Sequence, residues 1–269
     1  MDRFFDLLLR LGRHLPPPLP YALLRCALAF FAHRRQDLRE RTLENLRLAG
    51  IPEPEQTLLK LKRSAAQHFA QLLCLRASSD AAARWQVVGG EHFLEARRSG
   101  RAIVLAFFHT GFWEEALHIL AVQGIQALIL QQSFPQFPRL AIELQARRAL
   151  SGHHFLEWRQ GGREMFRHLR SGGVALLAAD LFPRSGGFRM PWFGRDTWVD
   201  DKAARAAQLT GAVLLPVWAE ENIAHIEAPI DTADARRATM ELMQLGERII
   251  REHPHLWIWP IRRWREKEQ

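Results

Sequence analysis

The chain has two cysteines and one tyrosine among 269 residues, and no run of eighteen consecutive apolar residues. Cys26 and Cys74 both fall within helix-like apolar segments. They show neither a metal-ligand spacing nor a disulfide framework, which fits a reducing compartment and small core side chains. Without a long apolar run, no single helix is expected to span a bilayer. No Gly-x-Ser-x-Gly elbow occurs, which argues against a serine hydrolase of that type. Phosphate-loop and dinucleotide glycine fingerprints are missing too. The twelve histidines include no His-x-x-x-His or His-Glu-x-x-His pair, so no metal site is expected. His153-His154 and His253-Pro254-His255 read as packing or surface residues.

Acidic residues are the scarcer charge, 29 against 37 Lys plus Arg, for a net charge of +8. Such an excess suits nucleic acid, anionic lipid or an acidic carrier protein. No nucleic-acid-binding fingerprint accompanies it, and nucleic acid is set aside as a partner. Nine Trp and sixteen Phe favour a lipid-facing surface, because indole rings prefer membrane interfaces; the same residues also pack cores. With 48% hydrophobic and 25% charged residues the composition is globular, and the length suits one large domain or a domain with an appendage.

Residues 3–15 read as an amphipathic helix with Phe4, Leu7, Leu8 and Leu11 on one face. Pro16-Pro17-Pro18 and Pro20 end it. Residues 21–32 are strongly apolar but carry Arg25 and close on His33-Arg34-Arg35. No small-residue cleavage site follows, so a secretory signal is not expected. Residues 1–35 are expected to lie as a helical hairpin in the cytoplasmic headgroup layer of a membrane; simple packing on the domain is the alternative. Residues 36–83 read as a helical cap broken at Gly50-Ile51-Pro52.

From residue 84 to 269 short apolar strands alternate with helical segments. The expected class is α/β: a mixed, largely parallel sheet flanked by helices, preceded by the membrane-associating helices. Residues 188–195 read as an apolar, cationic, turn-forming stretch, and 223–227 as an edge strand. Two buried strands end in polar residues. Residues 102–108 deliver His109, and residues 174–179 deliver Asp180. Ligand groups of open α/β sheets gather at the carboxyl ends of strands, so both can border one crevice.

After His109 come Thr110-Gly111-Phe112-Trp113-Glu114-Glu115. On a continuous helix His109 and Glu114 would diverge by about 140° at roughly 100° per residue. With His109 on the turn and Glu114 in the first helical turn their side chains can converge, which suits an imidazole base oriented by a carboxylate. The plainer alternative is a histidine closing a buried strand, followed by acidic residues favoured by the helix dipole. Arg184, Arg189 and Arg195 follow Asp180 in a loop suited to an acyl chain beside a phosphate, or simply to solvent.

Five ordered blocks together are similar to the bacterial lipid A biosynthesis (lauroyl/myristoyl) acyltransferase family, within the wider lysophospholipid acyltransferase superfamily. They are Asn45-Leu46-Arg47-Leu48; Val88-Gly89-Gly90-Glu91-His92-Phe93 with Gly100-Arg101; His109-x-x-x-x-Glu114; Gly172-Gly173-Val174 through Asp180 to Pro191-Trp192-Phe193-Gly194-Arg195; and Glu252-His253-Pro254 through Trp257-Ile258-Trp259 to Arg262-Arg263-Trp264. The resemblance implies O-acyl transfer from an acyl-carrier-protein or coenzyme A thioester to a lipid hydroxyl, at the cytoplasmic face of a bacterial inner membrane. The thioester is a co-substrate, and no cofactor or metal is implied. His109 would be the general base, Glu114 its orienting partner, and the amides near Phe112 and Trp113 the oxyanion donors. A basic rim would attract the acidic carrier. The family's usual arginine after the second strand is replaced by Gln131-Gln132-Ser133, and its Asp-Gln pair by Asp180-Leu181. Arg147 or Arg148 on the next helix stands in as a basic contact. These departures leave open another acceptor, such as a lysophospholipid, aminolipid or polyene-linked glycolipid, or a silent lipid- or carrier-binding module.

Overall fold

The computed structural model describes residues 21–23, 25–26, 36–131, 138–183, 185–261 and 263–264. The expected membrane hairpin therefore lies mostly outside the described residues, and so does Arg184. Among the described residues no helix is long and apolar enough to cross a membrane.

Residues 21–23 and 25–26 are helical; the helices after them are α1 (Gln36–Leu48), α2 (Pro54–Cys74) and α3 (Ser78–Ala82). The α/β part follows as β1 (Gln86–Val88), α4 (Gly90–Arg98), β2 (Ile103–Phe107), α5 (Trp113–Val122), β3 (Ala127–Gln131), α6 (Pro138–Ala149), β4 (His154–Glu157), α7 (Trp158–Arg170) and β5 (Val174–Ala178). A hairpin of β6 (Phe188–Trp192) and β7 (Arg195–Val199) precedes α8 (Lys202–Thr210), β8 (Val213–Glu220), β9 (Ile223–Ile226) and α9 (Ala235–Glu252).

Seven strands form one sheet in the order β1-β9-β8-β2-β5-β3-β4. Every pairing is parallel except β8 with β9. The expected mixed, mostly parallel sheet is thus present. Two local expectations need correction. The strand expected at the edge, β9, is internal, because the short β1 covers it; its alternating polar residues reflect half-burial rather than an open edge. The stretch expected as a turn-forming loop is the β6–β7 hairpin. Phe193 at its tip adopts φ 55°, and its buried ring makes that backbone tenable by packing against Trp192 and Trp257.

β2 lies at the centre and alternates its side chains between two cores, as a strand buried on both faces must. Val104, Ala106 and Phe108 face a cluster with Leu169, Ala207 and Leu242 from α7, α8 and α9. Ile103, Leu105 and Phe107 face Phe93, Ala96 and Leu117 from α4 and α5. A third cluster joins Leu43, Leu46 and Leu58 of α1 and α2 to Trp192, Phe193, Trp257 and Trp259. Asn45 fastens the C-terminal segment there, donating from Nδ2 to the carbonyls of Trp259 at 2.6 Å and Ile261 at 2.8 Å.

Candidate active site

Register places the two polar strand ends side by side. Phe107 of β2 pairs with Ala178 of β5. Two residues further along each strand, His109 and Asp180 come level. His109 Nδ1 lies 2.7 Å from Asp180 Oδ1. The His109 backbone N–H donates to Oδ2 at 2.7 Å, and Trp257 Nε1–H donates to the same oxygen at 2.8 Å. Asp180 has no solvent exposure. Burial pushes its carboxyl upward, but the His109 charge and the hydrogen bonds from His109 and Trp257 hold it below the usual carboxylate range. A carboxylate only accepts hydrogen bonds, so this network assigns the proton to Nδ1 and leaves the Nε2 lone pair free.

The turn after His109 is held from two sides. Ala219 N–H of β8 donates to Thr110 Oγ1 at 3.1 Å, and Gly111 N–H donates to the Leu256 carbonyl at 3.0 Å. Gly111 has φ 52°, and a Cβ there would sit 2.4 Å from the Ala219 carbonyl oxygen. Only glycine fits this approach. Trp113 then opens α5, and first-turn amides of a helix have no intrahelical partner.

Glu114 and Glu115 occupy the first turn of α5 and are both buried. Arg148 donates from Nε to Glu114 Oε2 at 2.9 Å and from Nη2 to Oε1, while its Nη1 donates to Gln131 Oε1 at 2.9 Å. The carboxylate bonded to the imidazole is therefore Asp180, whereas the expected partner, Glu114, is engaged by Arg148. The reason is geometric: β2 and β5 are sheet neighbours, while the first turn of α5 directs Glu114 towards α6. Glu115 accepts from Trp85 Nε1 and Arg84 Nη2, each at 3.2 Å. Burial pushes its carboxyl upward against those two contacts.

Two buried imidazoles flank this turn. His68 of α2 stacks on Phe112 with centroids 5.1 Å apart. Burial pushes it down to about 4 against the opposing Glu114 charge. His118, one turn beyond Glu114, meets Ser78 Oγ at 2.9 Å. It too is pushed down to about 4 by burial and His153, with Glu114 opposing.

An apolar cavity of about 270 Å³ runs between α4, α5 and the sheet, lined by Phe93, Phe107, Trp113, Leu117, Leu120 and Trp218 among others. Two of those walls touch the imidazole: Phe107 at 4.8 Å and Trp113 at 4.9 Å between ring centroids. Trp113, Ala116, Leu117 and Leu120 of α5, with Gln123 capping its end, form one stripe of the lining. It is about 15 Å long at about 1.5 Å per residue.

Of the residues singled out in the sequence, His109, Asp180, Phe112, Trp113, Glu114 and Arg148 thus gather at one end of the sheet. Arg147 instead donates from Nε to the Leu73 carbonyl at 3.0 Å and pairs with Glu143. Arg189 pairs with Asp196 across the hairpin at 2.8 Å. With Arg195 it lines a polar cavity that shares no wall with the apolar one. Trp257 was legible only as part of a family block; nothing local to it announces a bond to Asp180.

An α/β sheet that ends two strands in a His–Asp pair, the aspartate buried, beside a hydrocarbon-sized cavity is a scaffold suited to chemistry on an apolar substrate. The chain matches the family of bacterial lipid A biosynthesis acyltransferases over residues 5–266, and it belongs to that family. It is accordingly an acyltransferase-family protein, whose chemistry joins an acyl donor to a lipid acceptor. No curated protein matches it significantly.

Proposed function

We propose that the protein transfers a fatty acyl group from a carrier-protein or coenzyme A thioester to a lipid hydroxyl at the cytoplasmic face of the inner membrane. One observation carries this reading. An imidazole with Nδ1 tied to a buried carboxylate sits against two walls of an apolar cavity. Its Nε2 takes the proton of the acceptor hydroxyl as that oxygen attacks the thioester carbonyl. The imidazolium that forms is stabilised by Asp180. Collapse of the tetrahedral intermediate breaks the carbon–sulfur bond, and the imidazolium returns its proton to the leaving thiolate. Free amides at the start of α5, near Phe112 and Trp113, face the developing oxyanion.

Glu114 acts in this scheme through Arg148, setting the start of α5 rather than the imidazole. The acyl chain lies along the α5 stripe. An extended alkyl chain advances about 1.3 Å per carbon from bonds of about 1.5 Å, so the stripe takes roughly a dozen carbons.

His109→Ala tests the reading, with transfer of labelled acyl groups into lipid extract as the assay. Transfer falls by roughly a hundredfold or more while the circular-dichroism spectrum stays that of the parent. Undiminished transfer removes His109 as the base. A protein that binds acyl thioester and turns over no lipid is a binding module instead. Membrane attachment is assigned to residues 1–35; removing them moves the protein to the soluble fraction, and unchanged membrane recovery refutes that assignment.

A further inference from the structure

Arg263 is the most anomalous charged side chain among the described residues. It has no solvent exposure, and none of its Nε, Nη1 and Nη2 atoms has a hydrogen-bond partner. Its guanidinium carbon lies 4.5 Å from the centre of the Trp192 ring. Taking a cation out of water costs several kcal/mol unless other charges and dipoles offset it. A cation–π contact recovers only about 2 kcal/mol when desolvated. The remaining compensation is electrostatic, and the anions that act on Arg263 are Asp180 and Asp200. Burial pulls the guanidinium down to about 10, with those two carboxylates opposing, so it remains cationic at neutral pH.

The path from Arg263 to the site is a wall of rings. Trp192 meets Trp257 edge-on at 5.4 Å, and Trp257 donates to Asp180 at 2.8 Å. No water layer separates them, since Trp192 and Trp257 are both fully buried. Screening is weak in such a medium, and a fixed charge acts over more than contact distance.

We propose that Arg263 is a positioning residue that acts through Asp180: its buried cation favours the net-negative state of the His109–Asp180 pair, a carboxylate beside a neutral imidazole, which is the only state able to accept the acceptor's proton. This rests on the acyl-transfer reading for its role in turnover, but not for its electrostatics. The charged groups linked to the pair are His109 and Asp180 themselves, Arg263 across the Trp192 and Trp257 rings, and Asp200, which also acts on Arg263 and whose Oδ2 pairs with Lys202 at 2.6 Å. Removing the cation relieves the penalty on forming imidazolium, so His109 takes up its proton at higher pH.

The test compares Arg263→Met, Arg263→Lys and Asp200→Asn in the full-length protein. The His109 imidazole NMR signal, identified by its loss in His109→Gln, is followed against pH. In Arg263→Met its midpoint rises by roughly half a unit or more, whereas Arg263→Lys stays near the parent. Asp200→Asn removes a partly exposed anion without disturbing the ring cluster, and it moves the midpoint downward. The acid limb of acyl transfer shifts in step, with the Met variant losing several-fold more activity at pH 6 than at pH 9. If Met does not fold, Arg263→Gln takes its place, and the Asp200→Asn arm stands on its own. Midpoints unmoved in the folded variants overturn the proposal, as does a Lys variant that behaves like Met, which would make Arg263 a packing residue. Because the NMR arm needs no substrate, a chain that proves inactive as an acyltransferase refutes the function without deciding this inference.

Discussion

Asp180 holds His109 at two points, accepting from the backbone N–H at one oxygen and facing the ring Nδ1 at the other, across 71 positions of sequence. A carboxylate that binds both main chain and ring of the same residue sets ring orientation as well as tautomer. It thereby converts a strand-end histidine into a base of defined direction.

Asp180→Asn tests that relationship with little change of shape. An amide can donate to Nδ1, which favours the opposite tautomer and puts the proton on Nε2. Acyl transfer is expected to drop by about a hundredfold or more, close to the loss in His109→Ala, with the double variant no worse than either single one. Additive losses would show that the two side chains act separately.

Arg148 and Glu114 form a buried ion pair that ties α6 to the start of α5. Glu114→Gln leaves the guanidinium uncompensated, and the folded state is expected to lose about 3–5 kcal/mol. The Glu114→Gln/Arg148→Met double variant recovers part of that loss. Urea denaturation midpoints measure both, and equal midpoints for parent and Glu114→Gln would contradict the structural importance of the pair.

The cavity along α5 makes a prediction about acyl length. Leu120 sits about 10 Å from Trp113 along the helix, at about 1.5 Å per residue. Leu120→Trp blocks the remaining third of the stripe, and the preferred donor shortens by roughly three to four carbons. Competition among thioesters of mixed length reads this out. An unaltered length profile would place the acyl chain elsewhere.

His68 and His118 are each pushed down to about 4 by burial. Between an ordinary histidine value of about 6.5 and that value, the unfolded chain binds protons the folded chain excludes. Their contribution to stability is complete above about pH 6.5 and is lost as pH falls towards 4, at up to roughly 1.4 kcal/mol per pH unit for each group. His68→Phe keeps the ring stacked on Phe112 and flattens this dependence. Thermal unfolding between pH 4 and 7 checks the slope; an identical slope in the variant would remove His68 from the account.

The chain's periodicities were enough to show the α/β class, the buried strands, read at residues 102–108 and 174–179, and the polar residues just beyond them. These are local properties: a run of apolar β-formers is legible wherever it occurs, and so is the glycine that must follow His109. The interior position of β9 was not legible, because the strand that covers it, β1, lies more than a hundred positions away in sequence. The pairing at the site was likewise beyond local reading. Spacing along the chain favoured Glu114 as the partner of His109, since the two are five residues apart. The partner is Asp180, because strand order sets β5 beside β2 and register brings the two ends level. Trp257 and Arg263 reach that carboxylate's surroundings from the C-terminal segment, which Asn45 helps to fasten. Sequence by itself therefore determined which residues stand at strand ends. Tertiary structure alone decided which of them meet, because hydrogen-bonded register acts between segments that no local pattern connects.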